Sequence, residues 1–218
     1  RLISRVPVAV AEAAVKSGVA RQPLAAPARY ARELANRLDE AANALEAIHE
    51  RVRAEPKRTV FAEGEEENVI RAAIAYRNAG YGTPILLGRE ERITATVAAM
   101  GIRLPDGIEL HNARISTDNR RFAEYLYGRK QRDGFLFRDC QRLVNQDRNA
   151  FAACMVALGQ ADAMVTGETR SYFATLKGVQ HVIYADGVLF GLTMMIARRS
   201  GTVLVADTAI HERPDAQT

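Results

Sequence analysis

The feature that most constrains this chain is an alternation that begins at Lys57. Short apolar runs of strand length are each closed by a glycine and followed by a helical repeat. Residues 59–62 form the first run and lead through Gly64 and three glutamates into a helix over 68–78 that stops at Gly80. A second run over 84–87 turns at Gly88 into a helix over 90–100, and 108–110 supply a third strand. Helices over 119–132 and 139–158 flank the turn Asp133-Gly134, and 161–165 form the next buried strand, followed by Gly167 and a helix over 171–183. Strands separated by helices pair in parallel, because each helix carries the chain back to its starting edge. The pattern therefore predicts an α/β fold, a mostly parallel sheet flanked by helices, with ligands expected beyond the carboxyl ends of the strands.

The flanks read differently. Two apolar runs, 188–196 and 202–206, enclose a polar turn at 198–201 and predict a hairpin. After Asp207 the chain reaches Thr218 with no closing helix, so the sheet is expected to lack a remaining layer within these residues. Upstream, residues 4–18 are small and apolar at helical spacing up to Gly18. Pro23 and Pro27 then break the chain, and 28–52 predict a long amphipathic connecting helix with Tyr30, Leu34, Leu38, Ala41 and Leu45 on one face. The acids Glu65, Glu66 and Glu67 stand where a helix begins, and the helix dipole accounts for them without a catalytic role.

Composition limits the function classes. Lys and Arg number 30 against 26 Asp and Glu, a formal charge of +4, but the basic residues are scattered along helices and do not form a nucleic-acid-binding run. They suit phosphate and carboxylate oxygens equally well. No apolar stretch approaches the ~20 residues of a membrane-spanning helix. Cys140 and Cys154 sit within helical patterns and read as small buried hydrophobes in a reduced cytoplasm. His49, His111, His181 and His211 are dispersed without metal-ligand spacing, so no metal site is expected. Asp207 ends a buried strand, which fits both a ligand position and a turn cap.

Three stretches resemble one family. F-A-E-G-E-E-E-N-V-I-R-A-A (61–73) with G-T-P-I-L-L-G (82–88) is similar to the opening of the phosphate acetyltransferase and phosphate butyryltransferase fold, which is isocitrate/isopropylmalate dehydrogenase-like. D-R-N-A-F-A-A-C-M-V-A-L-G-Q-A-D-A-M-V-T-G (147–167) resembles that family's helix and strand leading to its substrate cleft, and V-L-V-A-D-T-A-I (203–210) its later strand and turn. R-L-I-S-R-V-P-V-A-V-A-E-A-A-V-K-S-G-V-A (1–20) resembles the end of a malic enzyme NAD(P)-binding domain. The two together resemble the bacterial multimodular NADP-dependent malic enzymes. The expected division is thus 1–22 as the end of the nucleotide-binding domain, 23–56 as linker, and 57–218 as the first part of a phosphotransacetylase-like domain.

That resemblance implies a parent that oxidatively decarboxylates malate to pyruvate with NADP and a divalent metal, Mg or Mn, with every residue for that chemistry lying before Arg1. It implies no cofactor on this segment, acetyl-CoA as an effector, and homo-oligomers assembled through the phosphotransacetylase-like domain. Arg129-Lys130, ahead of the turn Asp133-Gly134, matches a family Arg-Lys pair whose arginine contributes to the acyl-phosphate pocket. Arg129 fits either a grip on a phosphate or thioester oxygen or a solvated helix position. Beyond the strand, G-E-T-R-S-Y-F-A-T-L-K-G-V-Q departs from the active family: Arg170-Ser171-Tyr172 replace its histidine and hydroxyl run, Ala174 its acid and Lys177 its arginine. Lysine is a point charge without the planar two-donor grip of arginine. The expectation is a non-catalytic regulatory and assembly module, with Arg129, Thr166, Gly167, Arg170, Ser171, Lys177 and Asp207 as candidate pocket residues. An active phosphate acetyltransferase and a purely structural assembly module are the alternatives.

Overall fold

The computed structural model describes residues 2–22, 26–27, 29–31, 34, 40–183, 191–197, 201–207 and 210–211. The chain divides into two compact units, residues 51–186 and residues 1–50 with 187–218.

In the first unit, β1 (Lys57–Phe61), β2 (Gly82–Leu87), β3 (Glu109–His111) and β4 (Ala163–Val165) form one parallel sheet in the order β3-β2-β1-β4. Val60 pairs with Ile85 on one side and with Met164 on the other, while Leu86 pairs with Leu110. The first three strands are laid down outward from β1, and β4 returns to the opposite side of β1. The order therefore reverses between β1 and β4, the switch point where α/β sheets open a crevice.

β1 and β2 are buried on both faces over their carboxyl-terminal residues, where period two assigns alternate residues to two cores. β3 and β4 lie at the sheet edges, half-buried or exposed, so the strand expected as buried over 161–165 is an edge strand with Val165 exposed. Val60, Ile85 and Leu87 pack with Phe122 and Leu126 of α5 (Asn119–Lys130), Cys140 and Val144 of α6 (Phe137–Gln146) and Phe151 of α7 (Arg148–Ala157). Phe61 and Leu86 pack with Ile70 and Ala73 of α3 (Glu67–Asn78) and with Ile93 and Val97 of α4 (Glu90–Ala99). The single helix expected over 139–158 is two helices. Asp147 has extended backbone (φ −109°, ψ 109°), and its Oδ1 accepts the amides of Asn149 (2.8 Å) and Ala150 (3.4 Å), capping α7 and ending α6. The unit closes with α8 (Tyr172–Gln180).

The second unit contains α1 (Leu2–Lys16) and most of α2 (Glu40–Ala54), the described end of the expected connecting helix. It also holds the antiparallel hairpin of β5 (Leu192–Ala197) and β6 (Gly201–Ala206), as expected. The expected strand start at 188–190 and the turn at 198–200 lie outside the described residues. Leu192, Met195 and Leu204 on this ribbon are exposed. Among the described residues, no helix is long and apolar enough to cross a membrane.

Candidate functional site

Two carboxylates just past β1 organise the carboxyl edge of the sheet. Glu63, 4% exposed, reaches across the switch point to the turn after β4. Its Oε2 accepts the backbone N–H of Gly167 (2.9 Å) and Glu168 (2.7 Å), and its Oε1 accepts that of Thr169 (2.8 Å) together with the Thr169 hydroxyl. Gly167 holds φ +111°, a conformation that turns successive amides toward one acceptor and that few residues with a Cβ adopt. Burial pushes the Glu63 carboxyl up, but the Thr169 hydroxyl and the three amides outweigh it and hold the group below its ordinary range.

Glu65, also buried, points to the other side. Its Oε1 accepts the backbone N–H of Arg89 (2.9 Å), and its Oε2 accepts from the guanidinium groups of Arg148 (3.0 Å) and Arg92 (3.4 Å). The Arg89 guanidinium lies 3.5 Å from Oε1. Burial raises this carboxyl too, and the Arg89 amide with the three guanidinium charges lowers it further than burial raises it. The close approach requires glycine at 88, because a Cβ there would sit 2.7 Å from the Glu65 Cγ. Glu65 is thus an anchor for three arginines, which corrects its reading as a simple helix-start acid. Glu67 keeps a local role, pairing with Arg71 one turn on at 2.7 Å.

Two hollows are lined in part by these carboxylates, and a third is not. A cleft of about 300 Å³ opens beyond β2 and β3 between Arg89, Arg114 and Arg148, with Asn145 at its border. A groove of about 270 Å³ at the switch point is lined by Asn68, Thr166 and Gly167. A third hollow, also about 270 Å³, is lined by Arg129, Lys130, Asp133 and His181.

The candidate residues read from sequence fall among these places. Thr166 and Gly167 line the switch-point groove, where the Thr166 hydroxyl donates to Asn149 Oδ1 at 2.6 Å. Arg170 donates to Asp147 Oδ2 at 2.8 Å, so the helix cap also holds the cation of the following turn. Ser171 is the N-cap residue of α8, without a side-chain capping bond. Arg129 stands in the separate hollow, its guanidinium 5.7 Å above the Tyr125 ring and 3.4 Å from the Tyr125 hydroxyl. Lys177 stands one turn before His181. Burial first, then the charges of Lys130 and Lys177, lower the His181 pKa against the pull of Asp147. Asp207 belongs to the other unit, where it holds φ +52°, accepts the Ile210 amide at 3.2 Å and pairs with His211. Among the described residues, no group of three or more His, Cys, Asp or Glu is arranged to hold a metal ion.

The parallel sheet flanked by helices, with polar groups gathered at its carboxyl edge, is shared with solved phosphotransacetylases. The chain superposes on the EutD phosphotransacetylase of Staphylococcus aureus with a TM-score of 0.71 at 23% identity, over 81% of this chain and 53% of that one. A phosphotransacetylase from Streptococcus pyogenes gives 0.70 at 25% identity, over 79% and 53%. The sequence profile described as phosphate acetyl/butaryl transferase matches residues 43–218, and the chain belongs to that family. Along its whole length it is also similar to malic enzymes. It is 50% identical to the NADP-dependent malic enzyme of Rhizobium meliloti and 32% identical to that of Escherichia coli, in each case spanning 29% of the relative's length.

Proposed function

We propose that this chain is the phosphotransacetylase-like module of an NADP-dependent malic enzyme, and that it senses acetyl-CoA and holds subunits together without catalysing acetyl transfer. Residues 1–22 are then the end of the nucleotide-binding domain, 23–56 the linker and 57–218 the first part of the module. NADP and the divalent metal, Mg or Mn, belong to the malate-oxidising part of the parent. The similarity to malic enzymes runs through residues 1–50 as well as through the sheet, which supports this division.

The observation that carries the non-catalytic reading is the dispersal of the candidate groups. Acyl transfer from a phosphate needs donors converging on the oxygens that gain charge, already in place before reaction. Here the amides of 167–169 are taken by Glu63, and Arg170 is taken by Asp147. Arg129 lies in a different hollow from Thr166 and Gly167. Lys177 and Ala174 stand where the active family places an arginine and an acid. What remains suits binding: Arg129 borders a concave surface, beside a Lys130 already paired with Asp133 at 2.9 Å, and its guanidinium can take a phosphate or thioester oxygen. Coupling to malate oxidation then requires only that acetyl-CoA bind two states of the whole protein unequally.

The test is transacetylation by the full-length protein, followed as acetyl-CoA formed from acetyl phosphate and CoA. The expected result is no turnover above background. A turnover within the usual enzymatic range of about 1 to 1,000 per second would overturn the reading in favour of an active phosphate acetyltransferase.

A further inference from the structure

The cleft beyond β2 and β3 has an imbalance that the fold alone does not require. Three arginines from three elements line it, Arg89 at the start of α4, Arg114 in the turn after β3 and Arg148 at the start of α7, and the buried Glu65 beside them is already shared by Arg89, Arg148 and the neighbouring Arg92. Glu65 neutralises a single charge among them. Asp147, the other acid lining the cleft, has one oxygen on the α7 amides and the other on Arg170. Arg114 has no carboxylate partner among the described residues. Each guanidinium carries five donors, and Glu65 engages only a few of them. Arg89 and Arg148 keep 38% and 37% of their side-chain surface exposed toward solvent.

Glu65 therefore works as a template. A buried carboxylate that fixes three flexible side chains removes much of the entropy a ligand would otherwise have to overcome in ordering them. Asn145, whose Oδ1 is buried without a hydrogen-bond partner, borders the same cleft, and its amide can turn to offer a donor or an acceptor.

We propose that this cleft binds a phosphate or diphosphate group of a small molecule, at a place separate from the hollow around Arg129. The donors approach from three elements, a spread that matches the tetrahedral oxygens of phosphate better than the two coplanar oxygens of a carboxylate. The excess positive charge matches a dianion, and a volume of about 300 Å³ accommodates a phosphorylated group of modest size. The site goes beyond the acetyl-CoA reading and does not depend on it.

The experiment is calorimetric titration of the full-length protein with inorganic pyrophosphate, and separately with inorganic phosphate and succinate, at constant ionic strength. Pyrophosphate should bind saturably, once per chain, with a dissociation constant below about 1 mM. Arg114→Gln should weaken it tenfold or more without moving the thermal melt, because that exposed guanidinium makes no hydrogen bond or ion pair among the described residues. Arg148→Gln should weaken it similarly, and Arg129→Ala should leave it unchanged. No saturable binding, or an unchanged constant in Arg114→Gln, would overturn the site. Loss of binding in Arg129→Ala alone would also overturn it by moving the anion to the other hollow, and succinate binding as tightly as pyrophosphate would overturn the phosphate assignment.

Discussion

Glu63 and Glu65 stand two residues apart at the edge of one sheet, yet they meet opposite kinds of partner. Glu63 is enclosed by backbone amides of a turn more than a hundred residues away, donors whose positions the chain itself sets. Glu65 is enclosed by long side chains whose far ends remain partly in solvent. The first arrangement takes up the amides at the switch point, the place where a sheet of this order ordinarily receives a ligand. The second leaves donors over. The comparison separates a carboxylate that completes the fold from one that prepares a surface, although both have their ionised forms favoured.

Truncating the two acids should separate those roles most strongly. Glu63→Ala removes the charged acceptor of three backbone amides and one hydroxyl in the turn after β4, bonds worth about 1.5 to 3 kcal/mol each, so urea unfolding should report a loss of about 3 kcal/mol or more. Glu65→Ala leaves arginines that can turn to water, and the same measurement should report about 1 kcal/mol. Equal losses, or the reverse order, would break the comparison.

The Arg129 hollow offers a third kind of environment, a cation on an aromatic ring instead of on an acid. Arg129→Ala should raise the acetyl-CoA concentration needed for half-inhibition of malate-dependent NADP reduction about tenfold to a hundredfold, with uninhibited turnover nearly unchanged. If Arg129 is only a solvated helix residue, the curve should move by less than about 0.5 kcal/mol in equivalent energy.

Acid sharpens the contrast further. Both carboxyls are held below the ordinary value of 4.5, so the folded state binds fewer protons than the unfolded one in that region. The stability they contribute is complete above about pH 4.5 and is lost as pH falls through their lowered values. Glu63→Gln should flatten the fall in stability below pH 4.5, measured as melting temperature against pH. A slope identical to that of the unchanged protein would remove Glu63 from the account.

The smallest expected effect is a negative one. Burial pushes the Cys154 thiol up to about 12, and burial followed by the Asp139 charge raises Cys140, so neither thiol should react with a maleimide at neutral pH until the chain is unfolded. Labelling of the folded protein at the rate of an exposed thiol would show that the core around α6 and α7 opens.

The alternation of apolar runs and helical repeats from Lys57 onward was legible because burial on both faces writes itself into consecutive residues. The two cores divide β1 and β2 residue by residue in the same way. The break at Asp147 was also within reach, since Asp-Arg-Asn-Ala is a capping sequence, but an apolar pattern on both sides concealed it. Glu63 and Glu65 were not legible. An acid before a helix satisfies the dipole whatever else it does, and partners such as Gly167 and Arg148 are brought near only by the folded sheet. The candidates after β4 lie on a turn and helix start, and their partners, Asp147 for Arg170 and Asn149 for Thr166, come from the cap and first turn of a helix whose start the apolar pattern conceals.

The proposed role requires that acetyl-CoA bound to this module alter malate oxidation by the whole protein. The most direct measurement is malate-dependent NADP reduction by the full-length protein as acetyl-CoA is titrated in. Saturable inhibition is expected, with a midpoint that coincides with the dissociation constant of acetyl-CoA measured on the same protein. Turnover indifferent to acetyl-CoA at concentrations that saturate its binding, or no binding at all, would contradict it.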